Sequence, residues 1–232
     1  LATLLNSDAC VMEPEFTATT NEAVYQLGIE SACTIYSRAG LIPGYKGLRA
    51  IRSPDRLSRI IVVDESSYVD EDAFNKITQQ LPNCKFVWVM DQDQLAPVGS
   101  AVPYVTTQEF DTSELTIIER NKGALQDLVR ELRHGVRNRH GVDIRSHHNG
   151  TTIQVVNELE FQNQIIKEFG TDYTRCKVVM FKNNTVNKYN NAIHENVLGN
   201  PRFPHDGAPA IINSDSKEAQ YRVGTRLTIH EV

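Results

Sequence analysis

Asp64 and Glu65 are adjacent carboxylates that close the apolar run Ile60-Ile61-Val62-Val63. A second apolar run, Phe86-Val87-Trp88-Val89-Met90, ends at Asp91 and is followed by Gln92-Asp93-Gln94-Leu95-Ala96-Pro97-Val98. Apolar runs of this length, rich in β-branched residues, read as strands buried on both faces, as in a parallel sheet covered by helices. Ligands of open α/β sheets sit outside the carboxyl ends of the strands. Asp64, Glu65, Asp91 and Gln94 are therefore expected at one crevice. An Asp-Glu pair there suits Mg²⁺-nucleotide hydrolysis: the Asp holds a hydrated Mg²⁺ and the Glu orients the attacking water. Gln94 would sense the γ-phosphate. Arg120, after a third apolar segment (114–118), would neutralise charge on the transferring phosphoryl group.

The elements that must position these groups follow from the pattern on either side. Phe16-Thr17-Ala18-Thr19-Thr20 leads into a helix over about 21–27, with Asn21 as its expected N-cap and Ala23, Val24 and Leu27 at helical spacing. Residues 40–58 hold Gly40, Pro43, Gly44, Gly47 and Pro54 and read as a small excursion outside the sheet, a candidate hairpin. Asp70 to Leu81 reads as a helix with acidic residues at its positive end. Strands are expected at 9–12, 59–64, 85–90 and 114–118, and an amphipathic helix at 123–134. Residues 134–150 read as a polar loop. A second α/β unit follows, with strands at 152–156 and 176–181, helices at about 158–169 and 185–198, and a last strand near 226–229. Strands alternating with helices imply a parallel α/β sheet.

Composition narrows the class. The chain has 232 residues, with 24 Lys plus Arg against 29 Asp plus Glu, a net charge of −5. A mildly acidic balance does not advertise a nucleic-acid footprint, although net charge hides local patches. The cysteines (Cys10, Cys33, Cys84, Cys176) are scattered, so neither a zinc site nor a disulfide framework is expected, and a reducing setting fits. No apolar stretch approaches the ~20 residues needed to span a bilayer. His134, His140, His147 and His148 match no tetrahedral ligand spacing and read as a solvated loop. Trp88 reads as core, and Tyr45 and Tyr104 as candidate stacking rings. The helical-looking Leu1-Ala2-Thr3-Leu4-Leu5 start and the strand-like end suggest a piece of a longer protein.

The ordered motifs resemble those of superfamily-1 DNA helicases, in the branch of RecD-like, Pif-like and phage Dda-like enzymes. Residues 16–24 look like motif Ia, and Cys33-Thr34-Ile35-Tyr36-Ser37 like the Thr-Ile-His-Ser motif. Residues 62–67 are similar to motif II and Met90 to Val98 to motif III. Leu115-Thr116-Ile117-Ile118-Glu119-Arg120 looks like motif IV, and residues 179–186 like the start of the second motor domain. The resemblance covers nearly the whole chain. It implies a RecA-like parallel-sheet P-loop NTPase domain (residues 1–119, with an insertion at about 41–58) followed by part of a second RecA-like domain (120–232). The insertion would carry the strand-separating pin. ATP and Mg²⁺ are the implied cofactors, with Asp64 on the metal and Glu65, Gln94 and Arg120 as catalytic and nucleotide-binding groups. Thr17, Thr19, Thr20, Asn21, Ser37 and Asn183 would contact single-stranded DNA. The implied activity is 5′ to 3′ translocation and unwinding of fork DNA in a bacterial or phage-infected cytoplasm, alongside replication or recombination proteins and without a membrane. The chain departs from the pattern in several places. No Gly-x-x-x-x-Gly-Lys-Ser/Thr loop is present; it is expected just before Leu1, and motifs V and VI beyond Val232. Tyr36 replaces His, Ala96 replaces Pro, and Lys182 stands where Thr is usual. Two other readings stay open: a nucleic-acid-binding module without ATPase activity, and the motor of a relaxase or recombination protein.

Overall fold

The computed structural model describes residues 14–44, 47–55, 57, 59–117, 122–172, 175–197, 199, 209–211 and 226–230. The chain divides into two compact units, Leu1–Thr116 and Ile117–Val232.

The first unit is built on a parallel sheet. Its strands are β1 (Pro14–Ala18), β2 (Cys33–Thr34), β5 (Ile60–Asp64) and β6 (Lys85–Trp88), hydrogen-bonded in the order β2-β1-β5-β6. Ala18 is in register with Asp64, and Val63 with Trp88, so the strand ends are level. β5 is central, and Ile61, Val62 and Val63 are all buried, as expected for a strand covered on both faces. Ile61 and Val63 form one core cluster with Ile35, Leu41, Val69, Ala73, Ile77, Leu81 and Val105.

Short helices α1 (Asn21–Leu27) and α2 (Ile35–Arg38) follow β1 and β2. The N-cap of α1 is Thr20, one residue earlier than expected. Its backbone is still extended, and its hydroxyl accepts the amide N–H of Ala23 at 3.1 Å. Asn21 is already helical. Between α2 and β5, strands β3 (Leu41–Gly44) and β4 (Gly47–Ala50) form the expected antiparallel hairpin. Gly40 at its base has φ +67, and a Cβ there would lie 2.5 Å from the Arg52 carbonyl oxygen, so only glycine fits. Helix α3 (Glu71–Gln80) joins β5 to β6. Asp70 caps it by accepting from Ala73 N–H at 2.8 Å, and Ala73, Ile77 and Leu81 form its buried stripe. Trp88 is half-buried, with its ring 5.3 Å from Phe74 of α3 and stacked on Phe86 at 5.1 Å; Tyr104 meets Phe74 edge-on.

Near the amino ends of these strands, an ion-pair network fastens the linker that leads from the hairpin into β5. Arg38 donates from Nε to Glu15 at 2.5 Å and pairs with Asp55 at 3.1 Å, and Arg59 reaches Glu15 at 2.6 Å. Burial works against the charged Asp55 carboxylate, but the Arg38 hydrogen bond and the charges of Arg38 and Arg59 outweigh it and hold the carboxyl below its ordinary value. The sign follows from linkage: stability from a depressed carboxylate is complete above its unfolded pKa and is lost as pH falls through the lower folded value. Urea midpoints measured from about pH 6 down to about pH 3 should fall at the acid end, and the fall should be shallower in Asp55→Asn.

The second unit departs from the expected pattern. It holds helices α4 (Ala124–Asn138), α5 (Glu158–Asp172) and α6 (Asn183–Asn196), and an antiparallel pair, β7 (Pro209–Ile211) with β8 (Arg226–Thr228). Residues 152–156 and 176–180 are irregular, not strands, and so are residues 114–117 in the first unit. Leu115 is 95% exposed and Phe181 is 99% exposed. An extended run becomes a strand only when a second strand pairs with its backbone, and none of these runs has such a strand beside it among the described residues. The His-rich segment begins inside α4, which runs on to Asn138. His147 lies 2.7 Å from Glu131, His148 Nδ1 accepts from Val155 N–H, and His134 and His140 meet edge-on. The expected strand at 9–12, Tyr45 and Arg120 lie outside the described residues.

Candidate nucleotide site at the carboxyl edge of the sheet

Parallel strands in one sheet deliver everything that follows them to the same edge. In sheet order, that edge carries Ser37 beyond β2, Thr19 to Asn21 beyond β1, Asp64 and Glu65 at the end of β5, and Asp91 to Gln94 beyond β6. Neighbouring strands lie ~4.8 Å apart, so the edge spans roughly 15 Å.

Asp64 is the last residue of β5 and is half-buried. One carboxylate oxygen accepts the N–H of Glu65 at 3.0 Å. Its second oxygen takes no hydrogen bond among the described residues. That donor set fits Mg²⁺, which keeps several waters and takes only one or two carboxylates. A closed protein cage is not needed, and no group of three or more metal-ligating side chains stands together among the described residues.

Glu65 has φ +54 and ψ +36, the left-handed region that non-glycine residues seldom occupy. Strand alternation would send Asp64 and Glu65 to opposite faces of the sheet. The left-handed turn breaks that alternation where the second carboxylate leaves the strand. Ser66 anchors the turn to β6: its N–H and its hydroxyl both donate to the Val89 carbonyl, each at 2.9 Å. Ser67, equally buried, has a hydroxyl with no partner among the described residues. The adjacent serines should therefore respond oppositely to alanine. Ser66→Ala should cost about 0.5–1.5 kcal/mol, whereas Ser67→Ala should change stability by less than about 0.5 kcal/mol or raise it. Urea unfolding of both variants measures the difference.

Gln94 is exposed on the loop after β6. Its Nε2 donates to Asp91 Oδ2 at 3.3 Å, while the other Asp91 oxygen accepts Asp93 N–H at 3.1 Å. Asp91 thus organises the loop that presents Gln94.

The threonines of this edge divide into two kinds. Thr17 is 1% exposed and donates its hydroxyl to the Val62 carbonyl at 2.8 Å. Thr19 is 6% exposed and donates to the Glu65 carbonyl at 3.1 Å. Both hydroxyls donate across to the β5 side, Thr17 from within β1 and Thr19 from just beyond its end. Thr20 and Ser37 are exposed. Tyr36 packs against the core, and burial followed by the Asp70 charge raises its phenol above the ordinary value. Asn183 opens α6 in the second unit and is exposed. Neither the bridge from Ser66 to β6 nor the bond from Thr19 to Glu65 was expected; a hydroxyl residue directly after the Asp-Glu pair was the available signal for the first.

Among the described residues no helix is long and apolar enough to cross a membrane. No curated protein matches the chain. A family model described as an AAA domain matches residues 11–157, a span that takes in the whole parallel sheet and its carboxyl edge. The chain belongs to this AAA domain family and carries the α/β fold of a nucleotide-hydrolysing P-loop NTPase.

Proposed function

We propose that this chain is the motor part of an ATP-dependent DNA helicase of superfamily 1, in the RecD-like, Pif-like and Dda-like branch. One observation carries the reading: four separate motifs, each following a different parallel strand, share one carboxyl edge. Mg²⁺-ATP supplies the electrophilic phosphorus and most of the charge that must be managed. Asp64 holds the hydrated metal. Glu65 takes the proton of the attacking water. Gln94, tethered by Asp91, reads the γ-phosphate, and Arg120 offsets charge on the transferring phosphoryl group. Thr20, Asn21, Ser37 and Asn183 contact single-stranded DNA, and Thr17 and Thr19 serve inside the fold. The β3–β4 hairpin is the strand-separating pin, and the polarity is 5′ to 3′.

The test is ATP hydrolysis by the intact protein with and without single-stranded DNA, together with unwinding of forks bearing a 5′ or a 3′ tail. Stimulation by DNA and unwinding of the 5′-tailed fork are expected. Hydrolysis indifferent to DNA would remove the helicase reading and leave an NTPase of another duty.

A further inference from the structure

We infer that Thr19 is a positioning residue for hydrolysis, acting through the backbone of Glu65. The inference rests on the reading of Glu65 as the group that activates water. Glu65 sits in a conformation a non-glycine residue adopts only when its surroundings hold it there. The Glu65 N–H donates to Asp64 Oδ1 at 3.0 Å, and its carbonyl accepts from Tyr68 N–H at 3.3 Å. Both are local to the turn. On the β6 side, Ser66 is fixed to the Val89 carbonyl. On the β1 side, Thr19 N–H donates to the Asp64 carbonyl at 3.3 Å and its hydroxyl donates to the Glu65 carbonyl at 3.1 Å.

Thr19 lies immediately past the end of β1, level with the end of β5 because Ala18 is in register with Asp64. Thr19 is 6% exposed, so this bond faces limited competition from water. It is a side-chain tie from the end of β1 to the Glu65 peptide. Rotation of that peptide would swing the Cα–Cβ bond of Glu65, and with it the carboxylate.

The experiment compares Thr19→Val, which keeps the shape and removes the donor, with Thr19→Ser, which keeps the donor. ATP turnover of the intact protein is measured for each, in the wild-type background and in Glu65→Gln. Thr19→Val is expected to lower kcat on the order of tenfold to a hundredfold, with KM for ATP within about twofold. Thr19→Ser should restore most of the rate. In the Glu65→Gln background, Thr19→Val should add no further loss, because a misplaced group that no longer acts has nothing left to lose. If the valine variant does not fold, Thr19→Cys, with its weak thiol donor, makes the same comparison. A wild-type kcat in the donor-deficient variant beside a crippled Glu65→Gln overturns this inference alone. Equal fold losses in both backgrounds also overturn it, since they describe mere support of the fold. A wild-type rate in Glu65→Gln overturns the reading of Glu65 and this inference with it.

Discussion

Glu65→Gln should lower ATP turnover by the intact protein roughly 10²- to 10⁴-fold, the range associated with losing a positioned general base. The substitution is nearly isosteric, so the left-handed turn, the Ser66 bridge to Val89 and the Thr19 bond, all made by backbone or by other side chains, remain available to it. What disappears is the proposed proton acceptor. Nucleotide affinity should change little, because Asp64 keeps its carboxylate. The expected signature is therefore a collapse of kcat with unchanged urea stability, read from a coupled ATPase assay beside an unfolding curve. A variant that retains near-wild-type, DNA-stimulated turnover would remove Glu65 from the mechanism.

Ile61→Ala should have the largest effect on the fold, a loss of about 2–5 kcal/mol. Ile61 is fully buried in the middle strand and packs in the cluster that joins β5 to α2, α3 and the hairpin. Removing its branched end leaves a cavity between elements that are themselves tied to strands, so the site cannot collapse to fill it. Against a total stability of about 5–15 kcal/mol, such a loss is a large share. It should appear as a lower urea midpoint with little change in slope. Because β5 ends at Asp64, hydrolysis should fall at temperatures where the variant begins to unfold and be near normal below them. An unchanged midpoint would mean that this strand is not the centre of the core.

Where a signal is local, the chain can be read directly. The apolar runs around Ile61 and Val87, the Asp70 cap and the Ala73-Ile77-Leu81 stripe of α3 all follow from spacing along one element. The acid pair and the Gln94 loop follow from chemistry at strand ends. The hairpin after Gly40 follows from its glycines and proline. Where the outcome depends on a partner distant in sequence, spacing was not enough. Residues 114–117 and 176–180 have strand composition but no neighbouring strand among the described residues, and remain irregular. Composition states only a willingness to pair, and pairing needs a second backbone.

The sequence by itself determined that strand-terminal carboxylates, an amide and hydroxyls would stand on a parallel α/β scaffold, because buried apolar runs and turn residues are properties of short segments. The tertiary structure alone decided which strand lies beside which. The order β2-β1-β5-β6 sets Thr17 and Thr19 against β5 and turns their hydroxyls inward to the Val62 and Glu65 carbonyls. It also places Val89 where Ser66 can reach it and so holds Glu65 in its left-handed turn. A hydroxyl looks the same in a sequence whether it faces a phosphate or a carbonyl, and only its neighbours across the sheet distinguish the two.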